Sequence, residues 1–428
     1  MSRKHPRGLA VLFFIEMWER FGFYIMMAIY VLYMENEFGW PDSKKGDFYG
    51  WFLGAVYFLP LLGGWLGDKV FGQIRTIGIG SILMMLGYIS LAVSSLDQLH
   101  FFYLGLILIA IGTGIFKVNM SVLVGNLYHD KPLLKDAGFN IYYMGVNVGA
   151  TLGPVAATVL SGIFHSYRLS FWAAAIGMGI SFLIQRWGRK ILFTADTRHS
   201  PQLVSQHFAT DQKTISSGSE DRQRITTLIL LFAIIIFFWI AYYQNGFALT
   251  LFAKRSTVVS KILRPEFYQF FNAFFILLLT PLLLSFLSRL QKKNLAPTTP
   301  AKIFYGLTIM GFSMLLMMLA SLKGGNLDQN IMSPRWLIFT YLVITLAEIL
   351  ISPMGQSFVS KVAPARIQGV MMGLWFGATS VGSFSSGIFG KFYSDFPHHL
   401  FYLILAGLLF FAAILILISF KKLKKFAE

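Results

Sequence analysis

Five ionisable side chains fall inside long apolar stretches of this sequence: Glu16, Glu19 and Arg20 in the first, Lys117 in the fourth and Glu348 in the tenth. A charge at bilayer depth costs roughly 2.5–3.5 kcal/mol on insertion scales, so each of these groups needs a partner and a task. On a helix, Glu16, Glu19 and Arg20 share a face through i,i+3 and i,i+4 spacing, which lets Glu16 pair with Arg20. Two carboxylates against one guanidinium leave an excess negative charge, which either Lys117 or a proton can neutralise. Such a cluster is a proton-binding switch: protonation frees a cation, and the cation then accepts an anionic substrate group. No histidine lies well inside an apolar stretch, so proton chemistry falls to the glutamates. The plainer alternative is a static ion-pair cluster that only fixes helix packing; the cost of burial and the charge imbalance favour the switch. Glu348 has no basic residue in its own stretch. Facing a water-filled cavity and opposed by Lys117 across the midplane, it would complement a zwitterion, with the carboxylate toward one half and the ammonium toward the other.

The elements that must position these groups are membrane spans. Of 428 residues 56% are hydrophobic and 13% charged, against about a quarter charged in a soluble domain. Apolar runs fall at about 9–34, 47–67, 76–95, 101–124, 138–163, 169–186, 225–253, 265–288, 302–322, 336–355, 367–391 and 399–420, each near the ~20 residues a spanning helix needs. The expected fold class is an all-α membrane protein of twelve transmembrane helices in two six-helix bundles, residues 1–190 and 225–428. The polar stretch 191–224, rich in Ser, Thr, Gln and Asp, reads as a mobile cytoplasmic linker. With the N-terminus inside, 24 of the Lys and Arg residues outside the spans lie on the cytoplasmic side and 10 on the other, which places both termini in the cytoplasm. Small-residue patches at Gly145–Gly153 and Gly373–Gly390 permit close helix approach, and Pro281 and Pro353 are candidate bends.

Composition also excludes functions. With no cysteine there is no disulfide, thiolate nucleophile or Cys-ligated metal. The net charge of +17 is explained by basic loops, so no nucleic-acid partner is expected. There is no HExxH, no GxSxG elbow and no GxxxxGK[ST] phosphate loop, which argues against an enzyme or an ATP-driven pump. No metal and no cofactor is expected. No cleavable leader is expected either, because the apolar run after Met1–Arg7 carries its own charged motif.

At the turn between the second and third runs, Gly64–Arg75 reads GWLGDKVFGQIR. Its glycines allow a tight turn, and Asp68 can cap a helix or pair with Arg75. Six spans, a linker and six more spans is the arrangement of major facilitator transporters, whose halves rock around a midplane site. The turn resembles that superfamily's G-x-x-x-D-x-x-G loop, which makes Gly64, Asp68, Gly72 and Arg75 candidate gating residues.

Several segments resemble one family, the proton-dependent oligopeptide transporters. Glu16–Tyr24 (EMWERFGFY) is similar to its ExxERFxYY signature, and Gly112–Asn119 (GTGIFKVN) to its fourth-span motif. Phe139–Pro154, Gln269–Pro281 and Ala347–Trp375 resemble its fifth, eighth and tenth-to-eleventh spans. The resemblance implies a proton-coupled symporter in a bacterial inner membrane, acting as a monomer and importing di- and tripeptides by alternating access. It implies that Glu16, Glu19, Arg20 and Lys117 couple protons. Lys117 would meet the peptide carboxyl end, and Glu348, Asn147 and Asn272 the amino end, with Tyr24, Gln244 and Trp375 as further substrate-binding candidates.

The sequence departs from the family pattern at five places. Tyr243 stands where span 7 has an acid before Gln244, Met27 replaces a span 1 arginine, and Phe23 replaces the first signature tyrosine. Val118 stands between Lys117 and Asn119 where the family has proline, and the linker is too short for the two extra helices of many bacterial members. The span 7 and span 1 departures keep open a second reading, a divergent member moving another zwitterionic or anionic molecule with altered or absent proton coupling.

Overall fold

The computed structural model describes residues 5–196, 218–364 and 367–425. Among these residues, twelve long helices follow one another: α1 (Gly8–Phe38), α2 (Asp42–Phe71), α3 (Gln73–Val93), α4 (Leu99–Leu127), α5 (Lys135–Phe164), α6 (Arg168–Leu192), α7 (Gly218–Tyr242), α8 (Gln269–Lys292), α9 (Thr299–Lys323), α10 (Arg335–Val362), α11 (Gln368–Gly390) and α12 (His398–Ile418). A 3₁₀ turn, Tyr243–Gly246, bends α7 into a short continuation, Ala248–Arg255. The one extended contact among the described residues is an isolated bridge between Thr257 and Met332. Ten of the twelve helices are long and apolar enough to cross a membrane. The other two are α1, which carries Glu16, Glu19 and Arg20, and α11, diluted by glycine and serine.

The ends differ from the apolar runs in a consistent direction. Polar residues extend α1 to Phe38 and start α2 at Asp42, and α7 begins at Gly218 inside the expected linker. Residues 197–217 of that linker lie outside the described residues, as does Arg366 of the basic segment after α10. Pro281 and Pro353 sit within continuous helices. The interruption falls in α2, where Pro60 starts a new segment (Pro60–Trp65) that runs into a π-helical turn, Leu66–Phe71.

The chain forms two compact units. In the first, which takes in Met1–Gly39 and Ala55–Gln212, α1 packs on α5 and α6, and α3 on α4 and α6. Glycine makes the α1–α5 contact possible. A Cβ on Gly149 would stand 2.9 Å from the Arg20 Cβ, and one on Gly153 would stand 2.9 Å from the Phe21 carbonyl. The patch expected to allow close approach therefore lies against the charged face of α1. The second unit takes in Trp40–Gly54 and Lys213–Glu428, so the first turns of α2 pack with the second half of the chain. Within it α9 packs on α10 and α12, and α7 on α11.

Candidate functional site

In the first unit, α1 presents Glu16, Glu19 and Arg20 along one face, all three buried. Arg20 lies closest to Glu19, donating through Nε and, at 2.5 Å, from Nη2 to Oε1. Its Nε is 3.5 Å from Glu16 Oε1. The expected Glu16–Arg20 pairing is present, yet the tighter partner is the adjacent Glu19. From α5, Tyr142 stands beside Glu16 as its side-chain hydrogen-bonding neighbour. No charge flagged Tyr142 in the sequence; the only signal was its place in the fifth-span motif.

Lys117 comes from α4 and makes no ion pair within 4 Å among the described residues. Its ammonium sits over the Tyr57 ring, 5.5 Å from the centroid, a cation–π contact that stabilises a charge without consuming it. Asn119, two residues on, donates to the carbonyls of Gly63 (2.9 Å) and Ile115 (2.7 Å), tying α4 to the Pro60 segment of α2. Asn147 is buried on α5, its amide donating to the Tyr143 carbonyl at 2.9 Å. Tyr24 is partly buried and packs edge-on against Phe23.

In the second unit, Asn272 of α8 donates to Glu348 Oε2 at 2.9 Å and to Thr345 Oγ1 at 3.1 Å. Tyr242 of α7 is another hydrogen-bonding neighbour of Glu348. No basic side chain pairs with Glu348 among the described residues, and its hydrogen-bonding neighbours, Asn272 and Tyr242, are neutral. The remaining candidates are held by packing. Gln244 is buried and donates to the carbonyl and hydroxyl of Ser386 at 2.9 and 3.0 Å. Trp375 is 1% exposed, seated against Gly355 and Phe232. Tyr243 stacks on Trp239 with ring centroids 5.6 Å apart.

The loop motif is arranged differently from its sequence reading. Asp68 accepts from the Gln73 side chain at 2.8 Å, while Arg75 is exposed and makes no ion pair among the described residues. The cap on α3 comes from Asp196, which follows α6 and accepts from the backbone N–H groups of Gln73 and Ile74 at 3.3 Å each. Buried acceptors at a helix start satisfy its orphan donors and favour its dipole. Gly72, at φ +80°, makes the turn that a side chain would resist, and Gly64 approaches Val118 of α4.

A second charged cluster went unseen in the sequence, where Lys44 and Lys45 counted as loop residues. Asp42 accepts from both Nη atoms of Arg255 and from Ser394, and pairs with Lys45 at 2.6 Å. Lys45 is 0% exposed. Asp47 pairs with Lys391 one turn further along α2.

Over most of its length the chain is similar to known proteins. The family model described as PTR2, POT family, matches residues 74–213 and 192–404. The uncharacterized transporter YclF of Bacillus subtilis (strain 168) is 30% identical, covering 90% of this chain and 89% of that protein. The peptide transporter YePEPT of Yersinia enterocolitica is also 30% identical, with 90% and 88% covered. Dipeptide and tripeptide permease A of Escherichia coli (strain K12) is 27% identical, with 90% and 85% covered. The crystal structure of a peptide transporter POT in complex with sulfate superposes with a TM-score of 0.89 at 27% identity, covering 100% of this chain and 97% of that one. A mutant in complex with alafosfalin gives 0.88 at 27% identity, with 100% and 97% covered. The fold is the major facilitator fold, and the chain belongs to the POT family, as a multi-pass membrane transporter rather than an enzyme.

Proposed function

We propose that this protein imports di- and tripeptides together with protons, as a monomer in a bacterial inner membrane with both termini cytoplasmic. The observation that carries the reading is the division of charge between the units. The first offers Lys117, which makes no ion pair among the described residues, and the second offers a carboxyl, Glu348, whose hydrogen-bonding neighbours among those residues are neutral. A peptide zwitterion supplies the opposite charge to each, its carboxylate to Lys117 and its ammonium to Glu348. Asn147 and Asn272 supply amide hydrogen bonds, and Tyr24, Gln244 and Trp375 shape the site. Residues 1–190 and 225–428 act as the two halves joined by 191–224, and Gly64, Asp68, Gly72 and Arg75 form the cytoplasmic turn that gates them. Relatives named as di- and tripeptide permeases support the substrate class.

Proton coupling rests on the buried excess of carboxylate over guanidinium on α1. An inward electrical potential then adds about 2.3 kcal/mol per charge per 100 mV. A specific observation favours a second reading, a divergent member moving another zwitterion or an anion: the hydrophobic stack of Tyr243 on Trp239 occupies the place of the span 7 acid. Counterflow of labelled dialanine in proteoliposomes, competed with di- and tripeptides, single amino acids and nitrate, separates the two. Competition by short peptides alone supports peptide transport; competition by nitrate or amino acids, without peptide exchange, supports the second reading.

A further inference from the structure

One end of the second unit gathers basic side chains with no acid beside them in sequence. Arg289, Lys292 and Lys293 close α8, Lys302 lies in the first turn of α9, Lys361 ends α10, and four lysines follow α12 within residues 421–425. No Asp or Glu occurs in 285–305, 355–364 or 411–425. The Lys302 ammonium meets only the Met354 sulfur, at 3.8 Å, and Lys361 faces it as a like charge. The short helix Phe420–Lys424 packs back on α9, with Leu423 buried and Lys421 and Lys422 exposed. Like charges held together raise the free energy of the protein alone and favour a complex with an anion.

Two apolar stripes run up to these lysines on the packed pair α9 and α12. On α9, Tyr305, Phe312 and Leu319 are exposed at helical spacing from Lys302. On α12, Phe411, Ile414 and Ile418 are exposed in a row that leads to Lys421. Phe312 packs edge-on against Phe410 of α12, ring centroids 5.5 Å apart, so the stripes adjoin. Apolar surface ending in cations matches an amphiphile with an anionic head, its chain along the stripes and its phosphate on the ammonium groups. A free anion would use the lysines and leave the stripes bare. The basic end of α8 has no such groove, since no residue in 281–295 is buried.

We propose that the α9–α12 face binds an anionic glycerophospholipid, with its phosphate on Lys302, Lys421 and Lys422 and an acyl chain along Tyr305, Phe312 and Ile414. Bound there, the lipid neutralises the gathered charge and fastens the tail helix to α9. The proposal goes beyond the transport reading. It rests on the membrane placement given there, with this end in the inner leaflet, and not on the substrate or on proton coupling.

Thermal unfolding of the full-length protein in detergent tests it, with no substrate present. Added dioleoylphosphatidylglycerol is expected to raise the unfolding midpoint by about 2–4 °C over the same protein with dioleoylphosphatidylcholine. The triple variant Lys302→Gln, Lys421→Gln, Lys422→Gln is expected to lose most of that rise, measured from its own phosphatidylcholine baseline. Arg289→Gln, Lys292→Gln, Lys293→Gln removes the same charge from α8 and is expected to keep it. Phosphatidylglycerol retained in native mass spectra should follow the same order. No rise in the unaltered protein, an undiminished rise in the first variant, or an equal loss in both variants overturns the proposal. An equal rise from inorganic phosphate overturns it too, because the site would then take a free anion.

Discussion

Arg255 grips Asp42 with both ends of its guanidinium, Nη2 to Oδ1 and Nη1 to Oδ2, each at 2.9 Å. Asp42 opens α2 and Arg255 closes the continuation of α7, and Lys45 and Ser394 complete the cluster. Breaking a buried pair by removing one partner leaves the other charge uncompensated, which costs about 3–5 kcal/mol. Asp42→Asn should therefore lower thermal stability strongly, because Lys45 and Arg255 both lose their anion. Arg255→Lys keeps the charge but not the two-pronged geometry and should cost less. Thermal unfolding of the detergent-purified variants checks the order.

Close approach of α5 to α1 depends on Gly149. A methyl group there would stand 2.9 Å from both the Arg20 Cβ and the Phe21 backbone nitrogen, a clash that the helices relieve only by separating. Gly149→Ala should destabilise the protein by about 1–3 kcal/mol, the usual cost of overpacking. It should also reduce gradient-driven transport, because the displaced helix face carries the ionisable cluster. Unfolding and uptake measured on the same preparation check both effects.

Lys117 rests on an aromatic face and has no carboxylate partner within 4 Å among the described residues. Lys117→Gln should therefore leave thermal stability close to that of the unaltered protein. It should weaken peptides with a free carboxyl end by roughly tenfold, about 1.4 kcal/mol, while peptide amides change little. Inhibition of dialanine counterflow by each pair of ligands measures the difference.

At the other end of the proposed substrate, Glu348 is held by Asn272, with Thr345 as the second acceptor of the same amide. Glu348→Ala should weaken peptides with a free amino end more than N-acetylated ones. Competition assays with matched acetylated and free peptides check this, and an equal loss for both would remove Glu348 from the role.

What was legible in the sequence follows from the cost of polar groups in lipid. Apolar runs announced all twelve helices, and charges inside those runs announced Glu16, Glu19, Arg20, Lys117 and Glu348. Other features had no such signature. Asp42 and Lys45 are buried as an ion pair at a helix start, where charges normally mark a loop. Tyr142 carries no charge of its own, and its place beside Glu16 depends on how α5 packs on α1. Asp196 caps α3 across 122 residues of chain, a relation that no local pattern carries. The break in α2 was missed because Pro60 was not distinguished from Pro281 and Pro353, prolines around which α8 and α10 continue.

Uptake of dialanine into proteoliposomes under an imposed inward proton gradient, with and without a protonophore, shows whether transport is driven by protons. Accumulation above the external concentration, collapsing when the protonophore is added, is the expected result. Equal internal and external dialanine under the gradient, in a preparation that still exchanges the peptide by counterflow, would contradict proton coupling.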